Sequence, residues 1–185
     1  ATVGLAFNMN VVPEDLLPST AALPTLLSDV GIGRDGQPIA YDQMRDQIRR
    51  DILELSAYYS SNPRTERVEL VVRAAGSDVN ESGLAIGWMS DILFSPDWRV
   101  ENLPRIRDAV DLALANTRNT MRNSEESWVD DPANAYWRQT NPLYLHTSSF
   151  LTETHALHRL RWRLKDSCPD AAFRLFSDFM TNLAD

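Results

Sequence analysis

The 185-residue chain has one cysteine, Cys168, one lysine, Lys165, and three histidines. A lone cysteine excludes an internal disulfide and leaves the redox compartment open. Nearly all positive charge is therefore arginine, which reads as genomic coding bias rather than chemistry. Basic residues are scarce overall: 18 against 26 acidic, a net charge of −8. That balance argues against a nucleic-acid or anionic-membrane partner, because both need a basic surface. No apolar run approaches the length of a membrane span. No signal peptide opens the chain, and its first residues already sit in a strand-like segment. So abrupt a start reads as a piece excised from a longer protein, whose compartment it leaves open.

What is present suits one soluble globular domain, 43% apolar and 24% charged. A chain this long buries a sizeable core without staples. Residues 2–12 alternate Val3, Leu5, Phe7 and Met9 with small or polar neighbours, the two-residue period of a half-buried strand. Pro13, Glu14 and Asp15 then open a leucine-rich helix. Pro18 and Pro24 predict a kink there, or two short helices. Gly31 and Gly33 read as its terminating glycines, followed by a turn over residues 33–38. A second helix is expected over residues 41–53, with Met44, Ile48 and Ile52 on one face. Two strands follow, at residues 55–61 and 67–75. A helical hairpin comes next, over about residues 81–94 and 102–121, with Asn102 expected to cap its second helix. Residues 124–142 read as a polar segment with a short helix, and further helices are expected over 152–164 and 169–183. The fold class is therefore α/β, of the α+β kind: an antiparallel sheet with helices packed mainly on one face. Residues 1–123 form the core, and 124–185 a helical and loop extension of the same domain.

Four stretches, in this order, resemble the α/β-roll repeat of the pitrilysin, insulin-degrading and presequence-peptidase family of zinc metallopeptidases. They are the strand with residues 12–33, and residues 41–60, 86–110 and 147–160. The first matches the family's P-E-x-L-x-P helix start and leucine-rich helix ending in glycine. The second is similar to its Y-x-x-L-x-x-x-I-R segment, with Asp51 to Ala57 standing where paired glycines are usual. The third looks like its E-L-L-x-x-P-x-F-D hairpin. The fourth is similar to an A-S-S-F-L-S-P stretch of the presequence branch. The closest likeness is to that branch's third, non-catalytic repeat.

Active members bind zinc through H-x-x-E-H on the first helix of their first repeat, two histidines holding the metal and the glutamate activating water. The resemblance implies that Ala22 and Leu26 occupy the histidine positions here and Thr25 the glutamate position. Alanine and leucine have no donor atom, threonine is no general base at neutral pH, and Pro24 is expected to disturb the helix. The implied function is a non-catalytic, substrate-enclosing domain of a larger zinc-dependent peptidase. The chain alone is inactive on this reading, with zinc in a separate domain. Its partners are the other domains and the enclosed peptide. The alternative is a stand-alone protein-binding scaffold without activity. No catalytic, cofactor or metal residue is assigned.

Other motifs have bland readings. Residues 31–36 spell G-x-G-x-x-G, but they follow a helix and run into Gln37-Pro38, so a cap and a turn are expected rather than a dinucleotide loop. His155 and His158 sit one helical turn apart, with His146 and Glu153 nearby in sequence. Arg159, Arg161 and Arg163 would repel a dication, so surface or packing histidines are expected. Glu125, Glu126, Asp130 and Asp131 lack the alternate spacing of a calcium loop and read as solvated. Trp128, Tyr136, Trp137 and Tyr144 form either a peptide-binding rim or anchors that pin loops to the core. Asn80-Glu81-Ser82 is a glycosylation sequon in form only. Asp166 and Asp170 would raise the Cys168 thiol pKa, against a nucleophile's role.

Overall fold

The computed structural model describes residues 1–62, 64–123 and 140–165. The acidic cluster, Trp128, Tyr136, Trp137, Cys168 and the helix expected over 169–183 lie outside them.

The first strand, β1, covers Thr2–Asn8 and ends earlier than its alternation suggests. Two asparagines end it. The Asn8 side chain accepts from Asn10 N, while Asn10 donates to Glu66 O and accepts from Val68 N. Such side-chain bonds compete with a strand ladder, and Met9–Val11 turns into a 3-10 helix. The prolines divide the next segment as expected. A 3-10 turn leads into α1 (Leu17–Thr20) and then α2 (Leu23–Asp29), each with proline in its first turn.

Gly31 ends α2 at φ +88°, and a Cβ there would stand 2.7 Å from Ile39 O. Only glycine fits. Gly33, by contrast, caps nothing. It sits in β2 (Ile32–Arg34), which pairs with β3 (Gln37–Ile39). Asp35 and Gly36 between them both take positive φ, as the tightest hairpin turn requires. The G-x-G-x-x-G spelling is thus a helix cap and a hairpin.

Helix α3 covers Tyr41–Asp51, and β4 (Glu54–Asn62) and β5 (Arg67–Ala75) follow. The main sheet has the order β1-β5-β4 and is antiparallel throughout. Register puts Phe7, Leu70 and Tyr59 on one face, with Leu5, Val72 and Ala57 beside them. On β5 that face is fully buried at Val68, Leu70, Val72 and Ala74. The opposite face, with Ala6, Val71 and Tyr58 in one row, is covered by no described helix. The described helices therefore pack on a single face of an antiparallel sheet, and the fold class is α+β.

Helix α4 covers Val79–Phe94. Asp78 accepts from Glu81 N and Glu81 accepts from Ser77 N, so the two acids satisfy free amides at its start. Ala85, Trp88, Met89, Ile92 and Leu93 face the sheet. Helix α5 covers Leu103–Met121 and departs from a simple hairpin on the sheet. Its Ile106, Val110 and Leu114 join a second core with Ala22, Leu26 and Val30, and with Leu157, Leu160 and Leu164 of α7 (Phe150–Lys165). Between them α6 (Pro142–Ser148) sends Leu143 and Tyr144 into the sheet-side core. Helix α2 is shared: Leu23 and Leu27 face the sheet, Leu26 the helices. Asn102 does not cap α5. Its side-chain amide donates to Val30 O at 2.6 Å and Asp97 O at 2.9 Å, tying the link to the end of α2.

Candidate functional site

The positions that the resemblance would align with zinc ligands fall at α2. Ala22, just before the helix, and Leu26 are each 1% exposed in the α2–α5–α7 core. Thr25 is half-buried beside them. Pro24 does not distort α2, because it stands in the first turn, where no helical amide bond is lost. These side chains offer no nitrogen or carboxylate, and Ala22 and Leu26 face no solvent, so they do not fit a zinc ion.

The histidines lie on α6 and α7. His155 is exposed, while His146 and His158 are half-buried. His146 Nδ1 is sealed from solvent and makes no hydrogen bond to any described residue. Burial, then the neighbouring His155, push the His146 pKa below its ordinary 6.5. Burial pushes the Glu153 carboxyl up. Tyr59, reaching from β4, is half-buried and donates to Thr20 O at 2.8 Å. Its phenol is raised well above its ordinary value by burial and then by Glu153. The arginines take other work: Arg161 pairs with Asp111 across α5 and α7. Among the described residues no three His, Cys, Asp or Glu side chains gather where an ion could sit. Tyr144 is 4% exposed and belongs to the sheet-side core. It is an anchor rather than part of a rim.

Trp98 closes the link between α4 and α5. It is half-buried, packed on the second core, and its outer side lines an open groove of about 490 Å³ with Pro38 and Pro96. The groove walls are satisfied. Gly33 N donates to Ser95 O at 2.7 Å, and Asp97 N to Gly31 O at 3.0 Å. The buried Asp97 carboxylate takes two bonds from the Arg99 guanidinium.

A second cleft, of about 350 Å³, opens between the end of α2, the length of α3 and the start of β4. Met44, Ile48 and Leu55 line it with apolar surface, and Asp29, Arg45 and Arg49 bring charge to it. Tyr41 stands between two guanidiniums. Arg105 lies 3.7 Å from the ring centroid, and Arg45 donates to the phenol oxygen at 2.9 Å. Arg105 also donates to the Asp29 carbonyl at 2.6 Å, fixing the end of α2. The Asp29 carboxylate makes no hydrogen bond or ion pair with any described residue. Burial pushes its pKa up, and Arg105 and Arg45 pull it back down. Sequence reading passes over this cleft: Asp29, Arg45 and Arg49 carry no motif, and only the fold faces α2 toward α3.

No protein-family model matches the chain, and no curated protein matches it significantly.

Proposed function

We propose that the chain is a non-catalytic α+β domain of a larger zinc-dependent peptidase of the pitrilysin type, helping to enclose the peptide cleaved elsewhere in that protein. Four segments in family order support the family reading, and an antiparallel sheet with helices on one face suits it. The observation that carries the non-catalytic half is the sealing of Ala22 and Leu26 inside an apolar core. A zinc-binding helix must present nitrogen donors to a water-accessible site, and this one presents methyl groups to leucines. Zinc belongs to a separate domain in this reading, and the partners are the parent's other domains and the peptide.

A second reading, a stand-alone protein-binding scaffold, draws on the outer side of α4. Val79, Ile86 and Phe94 are exposed there around Gly83 and Gly87, a large apolar surface for a lone domain. The parent gene separates the two. The peptidase reading requires an H-x-x-E-H-type segment upstream, and a complete gene of about this length would sink it. The purified chain, given zinc and a fluorogenic peptide, is expected to show no turnover. After dialysis it is expected to hold no stoichiometric zinc by elemental analysis. One tightly held zinc per chain would overturn this and turn attention to His146, His155 and His158.

A further inference from the structure

The α2–α3 cleft combines an apolar floor, two arginines and a carboxylate. Its floor is apolar, with Met44 buried and Ile48 half-buried. On its wall, Arg45 and Arg49 stand four residues apart, one turn of α3, and both are solvent-accessible. The Asp29 carboxylate is half-buried and without a hydrogen-bonding partner among the described residues. Arg105 and Arg45 offset its burial only in part, and a bound ammonium would supply the hydrogen bonds it lacks. In the Trp98 groove, by contrast, the one buried carboxylate already has its guanidinium. The volume lies near the lower end for small-molecule sites, enough for one residue-sized ligand.

We infer that this cleft binds a free apolar α-amino acid. The carboxylate pairs with Arg45 and Arg49, the ammonium with Asp29, and the side chain rests on Met44, Ile48 and Leu55. Each of the three parts of the ligand meets a group of the cleft that suits it. A simple anion would use the arginines and leave Asp29 unpaired. A simple amine would do the reverse. Arg105 acts as a positioning residue: it grips the Asp29 carbonyl and stacks on Tyr41, and so holds the two helices at this spacing. The inference does not rest on the peptidase reading, since the cleft stands whether or not a parent enzyme exists.

The test is a titration of the full chain with L-leucine, followed by amide chemical shifts. A saturable response is expected at Asp29 and along residues 41–49, with an affinity of about millimolar order. N-acetyl-L-leucine, without the ammonium, and L-leucinamide, without the carboxylate, should each bind about tenfold more weakly or worse. Asp29→Asn should remove the preference for leucine over its N-acetyl form. Arg49→Gln should weaken leucine but leave leucinamide unchanged. Arg49 is exposed and makes no bond to a described residue, so this variant keeps the fold. Absence of saturable binding by leucine would overturn the inference. So would N-acetyl-leucine binding as tightly as leucine, which would reduce the cleft to a plain anion site.

Discussion

The two cores of this domain are built by different rules, and α2 belongs to both. The sheet-side core is read in steps of two: Val68, Leu70, Val72 and Ala74 alternate along β5, and α4 lays Trp88, Met89 and Ile92 over them. The helical core is read in steps of three and four along α5 and α7, with no strand contributing. Polar atoms also differ. In the sheet-side core the Trp88 indole donates to Asp51 at 3.0 Å while Arg34 lies over its ring. In the helical core polar contact is confined to the margins, where Arg107 grips the Leu164 carbonyl and Asn102 the Val30 carbonyl. A core whose largest buried ring is itself held by a polar tether loses both packing and that bond when the ring is removed.

The largest expected effect follows from that difference. Trp88→Ala removes a nearly fully buried ring and leaves Asp51 without its donor, so it should cost about 3–5 kcal/mol. A domain has only about 5–15 kcal/mol in hand, so the variant should be close to unfolded at physiological temperature. Trp98→Ala, in a half-buried ring on the helical core, should cost about 2 kcal/mol. Denaturant melts of the two variants measure the contrast. Equal midpoints would mean that Trp98 is as deeply needed as Trp88 and that the link is part of the core.

A finer comparison uses neighbours on α2. Leu27 is fully buried toward the sheet and Leu26, 1% exposed, toward α5 and α7. Each cut to alanine should cost about 2–5 kcal/mol. Adjacent helical residues point in different directions, so the two losses should add to within about 0.5 kcal/mol in a double-mutant cycle. A larger coupling would show that α2 shifts as a unit and that the two cores behave as one.

Much of this arrangement is legible in sequence because a strand's alternation names its buried face directly. The bounds of β5 and the face that it buries follow from Val68, Leu70 and Val72. The helical core is less legible: the spacing of Ile106, Val110 and Leu114 says that α5 buries a face, but not whether against the sheet or against α2. Short elements fare worst. Strands β2 and β3 have three residues each, too few for a period, so Gly33 looks like a second helix cap. Asn102 has the residue type of an N-cap, yet a nearby pair of free carbonyls outcompetes the helix amides for it. The α2–α3 cleft has no local signal, because only the tertiary fold brings Asp29 and Arg49 to one cleft.

The smallest expected effect is at the seam between the cores, where α6 and α7 meet. His146 is half-buried there, its Nδ1 without a hydrogen bond to any described residue, and His155 on α7 adds positive potential. The folded state therefore holds a proton on His146 less tightly than the unfolded chain does. Above the ordinary value of 6.5 both states are neutral at this site and its contribution is complete. As pH falls below 6.5 toward the lowered folded value, the unfolded chain takes up the proton first and stability declines. Glu153, across the same seam, acts in the opposite sense. Burial raises its pKa, so the folded state favours its neutral form, and stability is regained as pH falls through the raised value. Urea melts between pH 7 and 5 should show the His146 decline, and His146→Gln should flatten it while leaving any Glu153 gain at the acid end. A variant with an unchanged slope would place the titration elsewhere, and would mean that the seam opens enough in solution to hydrate Nδ1.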